Sequence, residues 1–161
     1  MYRVGNIVLG KYLLLVLALV CAATVTSAQS WTKKADFING GSANAYSFTI
    51  NDTIYVGNTG AVGFYKYDYT TDTWSPKANV PTELDNRTAS RGFAIGGKGY
   101  VVGGIGPGGT CRSDVWEYTP GTDTWVQKAD FPGGKRAGMG SFVVGSMAYV
   151  GGGYDTIDIP G

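Results

Sequence analysis

The chain has no histidine among its 161 residues. That removes imidazole metal ligands, His general bases and Ser-His-Asp triads from anything encoded here. Cysteine is nearly missing too, with only Cys21 and Cys111. Charge of either sign is scarce: 13 basic and 12 acidic side chains give a net charge of +1. A nucleic-acid partner is excluded on that ground, because no basic excess is available to neutralise phosphates. A 43% hydrophobic content with so little net charge also excludes a disordered chain. Long apolar runs are lacking beyond the first residues. Glycine is abundant instead, with 26 residues, more than twice the usual share of about 7%. Aromatics make up 13%.

Residues 1–28 read as a signal peptide. Arg3 and Lys11 form a positive start, Tyr12–Val25 carries no charge, and Thr26-Ser27-Ala28 supplies small residues for cleavage before Gln29. At 1.5 Å per residue that apolar run covers about 21 Å, short of the roughly 30 Å hydrocarbon core, so a membrane anchor fits less well. The sequence thus predicts a secreted or extracytoplasmic protein with no membrane span after cleavage. Loss of the leader takes away two basic residues and no acid, leaving 11 basic against 12 acidic residues and a net charge of −1. One cysteine, Cys111, remains, so an internal disulfide is excluded. It reads as a small residue in a glycine-rich loop, with an intermolecular link as the alternative.

The mature chain repeats. Tyr55, Tyr100 and Tyr149 each follow a phenylalanine by seven residues (Phe48, Phe93, Phe142) and a β-branched residue by five (Ile50, Ile95, Val144). Turn residues lie between, as Asn51-Asp52-Thr53, Gly96-Gly97-Lys98 and Gly145-Ser146-Met147, and these tolerate positive φ. Gly103-Gly104 and Gly152-Gly153 close the second and third copies, where the first has Asn58-Thr59. A second signature, Tyr-x6-Trp, occurs as Tyr67…Trp74 and Tyr118…Trp125 around Thr-Asp-Thr turns. Lys-Ala-Asn or Lys-Ala-Asp follows each tryptophan, and Trp31–Phe37 matches Trp125–Phe131 at the same offsets. Trp31, Trp74 and Trp125 therefore head three copies of one strand.

Four short strands recurring every 45–50 residues or so make a propeller blade. Hydrophobics, a double glycine and Tyr-x6-Trp resemble the kelch repeat over Trp31 to Tyr154; the Trp-Asp and Gly-His pairs of WD40 propellers are missing. The predicted fold is all-β: a kelch-type β-propeller of four-stranded antiparallel blades, about two and a half of them over residues 29–161. An outer closing strand at 31–37 is expected first, then a blade at 44–79, a blade at 89–130 and half a blade at 138–161. Inner strands fall at about 44–50, 89–95 and 138–144. Aromatics of the repeat should fill the wedge between blades, with the glycines permitting close backbone approach. Trp116 stands outside the shared columns, where the first copy has Tyr65, and is left open. Six or seven blades need about 300–350 residues, so the missing blades are expected from a longer chain, with self-assembly of copies as the alternative.

Function is less legible. Loops from fourth to first strand (79–88, 131–137) and from second to third strand (58–64, 105–114) share one face, and binding residues concentrate in such loops. Arg87 and Arg136 both lie 13 residues before their anchor tyrosines, where the first copy has Ser42, and Arg112 sits in the longest loop. These three arginines are the candidate binding residues, suited to gripping a carboxylate or an acidic peptide by paired hydrogen bonds. The alternative is structural: a recurring arginine bonded to backbone carbonyls or to an acid in the next blade. Asp68, Asp72 and Asp123 read as turn residues, and Asp114 and Glu117 as a solvated strand. No catalytic, metal or cofactor constellation is present. The leading expectation is a non-catalytic binding module for an unknown protein or carbohydrate. Within the kelch resemblance, two enzyme types stand as alternatives. One is the galactose-oxidase type, whose histidine ligands would have to lie beyond residue 161; the other is the sialic-acid mutarotase type, which uses acids and arginines.

Overall fold

A computed structural model describes residues 31–38, 45–57, 63–78 and 80–155. The predicted leader, 1–28, lies outside them, as do Ser42 and the Asn58-Thr59 pair. All strands belong to the unit Lys34–Gly161; of the unit Met1–Lys33 only residues 31–33 are described.

Among the described residues ten strands form three antiparallel sheets. The first blade is β1 (Tyr46–Ile50), β2 (Thr53–Gly57), β3 (Phe64–Asp68) and β4 (Thr73–Pro76), paired in that order. The second is β5 (Arg91–Ile95), β6 (Lys98–Val102), β7 (Val115–Thr119) and β8 (Thr124–Lys128). The third sheet is the hairpin β9 (Gly140–Val144) and β10 (Met147–Gly151). The inner strands follow one another, β1 beside β5 and β5 beside β9. Every expected inner strand is present to within two residues.

The two sequence signatures share one geometric cause. In each first hairpin the phenylalanine and tyrosine seven residues apart are directly opposed: Phe48 with Tyr55, Phe93 with Tyr100, Phe142 with Tyr149. Their rings stack at 5.6, 5.3 and 5.2 Å. Tyr67 with Trp74 and Tyr118 with Trp125 are likewise opposed across the second hairpin. The first turns are tight, and Asn51 and Asp52 (φ 46° and 62°) match Gly96 and Gly97 (φ 61° and 75°) in adopting the left-handed conformation that two-residue hairpins need.

The core lies between the first two blades. Phe48, Tyr55 and Phe64 of the first meet Tyr118 and Trp125 of the second. Phe64 stands edge-on to Tyr118 at 4.7 Å and to Trp125 at 5.0 Å. Gly99 makes room for this, since a Cβ there would fall 2.2 Å from the Phe48 ring. Trp116, left open by the sequence, is buried in the same cluster. Between the second blade and the third sheet is an apolar cleft of about 600 Å³, lined by Phe93, Val102, Val115, Phe131, Phe142 and Tyr149 among others. On the third sheet Phe142 and Val144 are more than half exposed.

A polar latch repeats alongside the aromatic one. The Tyr67 hydroxyl donates to Asp72 Oδ1 at 2.5 Å, and the same oxygen accepts the Ala35 N–H at 2.9 Å. One repeat on, the Tyr118 hydroxyl donates to Asp123 at 2.6 Å, which accepts the Ala78 N–H and pairs with Lys77 at 3.1 Å. Phe37 sits edge-on to Trp74 at 4.9 Å, and Val80, six residues after Trp74 as Phe37 is six after Trp31, packs on the core that holds Trp125. The segments after Trp31 and Trp74 thus each tie onto the following blade.

Residues 31–37 pair in no ladder with the described strands, and Trp31 is 94% exposed; this segment is bound through Ala35 and Phe37. One expectation needs correction. Asp114 and Glu117 are not solvated. Glu117 is buried and accepts hydrogen bonds from Lys98 Nζ (2.6 Å) and the Tyr100 hydroxyl (2.7 Å), with Lys128 at 3.6 Å. Alternation along β7 does not separate wet from dry faces, because a blade is covered on both sides.

The latch carries a pH signature. The Ala35 N–H and the Tyr67 hydroxyl hold the Asp72 carboxyl below its usual range. Burial pushes Asp123 up, but Tyr118, Lys77 and Ala78 outweigh it and its carboxyl is also held low. A carboxyl depressed in the folded state stabilises above its unfolded pKa of about 3.9 and loses that contribution as pH falls through the folded value. Unfolding midpoints measured from pH 6 to 2 should therefore fall below about pH 4. Asp123→Asn should lower the midpoint at pH 6 and flatten that acid limb; an unchanged acid limb would show that the latch contributes nothing.

Candidate functional site

The loop face is held by backbone bonds between segments far apart in sequence. Gly104 N–H donates to the Arg136 carbonyl (2.8 Å), Arg112 N–H to Gly104 (2.9 Å), Arg136 N–H to Arg112 (2.9 Å) and Phe131 N–H to Ser113 (2.7 Å). The double glycine permits this lacing. Gly103 and Gly104 have φ of 58° and 99°, and a Cβ on them would lie 2.4 Å from the Arg136 carbonyl oxygen and 2.1 Å from Ser90 Oγ. The loops are thereby fixed relative to the blades.

The three predicted arginines separate. Arg87 is 3% exposed and forks onto Asp114, with Nη1 to Oδ1 at 2.5 Å and Nη2 to Oδ2 at 2.6 Å. Its Nη1 also reaches the Gly103 carbonyl at 3.4 Å. Arg136 repeats the last contact one blade later, with Nη1 3.4 Å from the Gly152 carbonyl, and its Nε donates to Gly133 at 2.9 Å. The arginine column therefore braces the strand exit at the double glycine. Arg112 differs. It is exposed and forms no ion pair among the described residues. Its guanidinium lies over Gly106, where a Cβ would come within 2.8 Å of Nε.

Arg87 and Arg112 meet in one cleft of about 400 Å³; Arg136 is not part of its lining. Thr82 and Glu83 come from the loop after the first blade, Pro107, Arg112 and Ser113 from the long loop, and Gln127, Asp130 and Lys135 from β8 and the loop beyond it. The Arg87–Asp114 pair forms the floor, with the Trp116 indole N–H donating to Asp114 Oδ2 at 2.7 Å. Burial would push the Asp114 carboxyl up, yet Arg87 and Trp116 outweigh that and hold it below the usual range. Ser113 Oγ donates to Asp130 at 2.8 Å and steadies it. Arg87 Nε is buried without a hydrogen-bond partner. Sequence reasoning missed Glu83, Asp130 and Lys135, and took Asp114 for a surface acid. Among the described residues no group of three or more acidic or thiol side chains could hold a metal ion.

The kelch motif matches residues 87–132, from the buried arginine to just past the post-tryptophan segment. This stretch is a kelch motif. The chain is 32% identical over 88 residues to a kelch domain-containing protein of Sulfurisphaera tokodaii, covering 55% of this chain and 12% of that protein. It is 33% identical over 110 residues to the N-acetylneuraminate epimerases of Shigella sonnei and Escherichia coli K12, covering 64% of this chain and 29% of theirs. The solved structure of YjhT matches 79% of this chain and 38% of its own, with a TM-score of 0.63 and 31% identity. The kelch chain thus spans well under half the length of the relatives it matches.

The two kinds of arginine separate by measurement. Arg87→Ala leaves Asp114 partly buried without its cation and should cost about 3–5 kcal/mol in denaturant unfolding. Arg112→Ala should stay within about 0.5 kcal/mol of the parent, as exposed substitutions do. Equal losses at both positions would contradict the separation.

Proposed function

We propose that the kelch chain is part of an exported propeller that binds a protein or a glycan through its loop face. The observation that carries this reading is the cleft itself. It has a rigid floor, walls from three loop segments, and two cations, Arg112 and Lys135, that take part in no ion pair among the described residues. The leader-like segment 1–28 supports export. The Phe142–Tyr149 side of the third sheet repeats the Phe48–Tyr55 side of the first, which supports further blades seated on it in a longer polypeptide or a partner copy.

A second reading is favoured by the named relatives. Similarity to N-acetylneuraminate epimerases over 110 residues supports a sugar-directed propeller enzyme. Those residues make up 29% of the epimerases, so their chemistry is not transferred to individual residues here.

One experiment separates the readings. Full-length protein is mixed with a single anomer of N-acetylneuraminate and anomer exchange is followed by NMR, while a glycan and peptide array is probed in parallel. Array binding without accelerated exchange is the expected result. Exchange well above the buffer rate would replace the binding reading with the enzymatic one.

A further inference from the structure

We infer that removal of the leader turns Gln29 into a pyroglutamate, so that the mature chain begins with a closed lactam that guards the segment 31–37. This rests on the export reading, which places the cut after Ala28, and adds a modification site to it.

The chemistry needs only the residue type and its position. The chain has two glutamines, Gln29 and Gln127, and of these only Gln29 comes to stand first after processing. Until the cut its nitrogen belongs to a peptide bond and is not nucleophilic. Afterwards it is an α-amine with a pKa of about 7.7–8.0, so part of it is uncharged at neutral pH. Its lone pair attacks the side-chain Cδ carbonyl. The N–Cδ bond forms and the Cδ–Nε2 bond breaks. The departing nitrogen takes one proton from the attacking amine and leaves as ammonia. Nothing is oxidised or reduced, and no second reactant enters. The ring that closes has five members, and both reacting groups sit on one residue, the proximity that favours an intramolecular step. An asparagine there would have to close a strained four-membered ring.

The structure shows why a blocked end matters. Every side chain from Trp31 to Asp36 is exposed, and 31–37 pairs in no ladder with the described strands. Exposed ends of this kind are where proteolysis concentrates. The segment is held to the first blade a few residues in. The Ala35 N–H donates to Asp72 Oδ1 at 2.9 Å, and the Trp74 indole N–H donates to the Ala35 carbonyl at 3.2 Å. Phe37 stands edge-on to Trp74 at 4.9 Å and to Tyr65 at 5.3 Å. Only residues 29–34 precede Ala35 in the mature chain. An aminopeptidase working inward from a free amine would soon remove the Ala35 contacts with Asp72 and Trp74. Such enzymes need a free α-amino group, and the lactam has none. Ring closure therefore protects the Tyr67–Asp72–Ala35 latch.

The test uses full-length protein exported by a host that removes the leader. Intact mass and stepwise N-terminal sequencing read the end group, before and after treatment with pyroglutamyl aminopeptidase. The expected mass is that of the chain from Gln29 less one ammonia, with sequencing blocked. After the enzyme, sequencing should start at Ser30. Challenged with an aminopeptidase that requires a free α-amine, the native protein should keep its mass, while Gln29→Ser is trimmed toward Ala35. Gln29 still open after prolonged incubation at mildly alkaline pH would overturn the inference and leave the export reading standing. So would a chain that starts at another residue. A chain that keeps its leader would overturn the export reading as well. Equal resistance of the native protein and Gln29→Ser would overturn the guarding role.

Discussion

Phe64 stands where the first two blades meet. It stacks on Tyr55 at 5.7 Å within its own blade and meets Tyr118 and Trp125 edge-on in the next. A four-stranded sheet of four- and five-residue strands has too little of its own core to stand alone, and both of its faces need cover. Aromatic rings supply that cover with large area and preferred edge-to-face geometry, each pair adding about 0.5–1.5 kcal/mol beyond burial. Once this contact is set, the Tyr–Asp latch fixes how the post-tryptophan segment approaches the following blade. The latch recurs at the same offsets, as Tyr67–Asp72–Ala35 and Tyr118–Asp123–Ala78, so one rule ties both post-tryptophan segments to the next blade.

The loop face inherits its rigidity from that stacking. Arg87 reaches from the loop before β5 to Asp114 before β7, and Arg136 repeats its hold on the double-glycine carbonyl one blade later. These arginines spend their hydrogen bonds inside the scaffold. Arg112 and Lys135 lie on the surface that the scaffold holds still. Basic residues of one face therefore divide into braces and cations with no ion pair among the described residues, and burial with partner distance makes the division.

The blades were legible because hairpin register writes itself into the sequence. An opposed pair across a short turn gives a fixed spacing, so Phe48…Tyr55 and Tyr118…Trp125 could be read directly. Positive-φ turns were legible from Asn-Asp and Gly-Gly. Glu117 was misread because both faces of β7 are covered, which a single strand does not reveal, and Asp114, just before β7, because its cation Arg87 lies far off in sequence. The cleft was largely hidden. Its walls come from three loop segments, Glu83 and Lys135 have no shared column to mark them, and the column that holds Asp130 reads as part of the repeat. The Arg87–Asp114 pair spans 27 residues with no counterpart in the first copy to expose it.

The central claim is that the first two blades form one cooperative unit through the Phe64 contact. Native-state hydrogen exchange of the full-length protein with Phe64→Ala tests it directly. Amides of β2 and of β6 should lose protection together and by the same free energy, about 3–5 kcal/mol for removal of a buried phenylalanine. Loss of protection confined to β1–β4, with β6 unchanged, would contradict the account and make the blades independent.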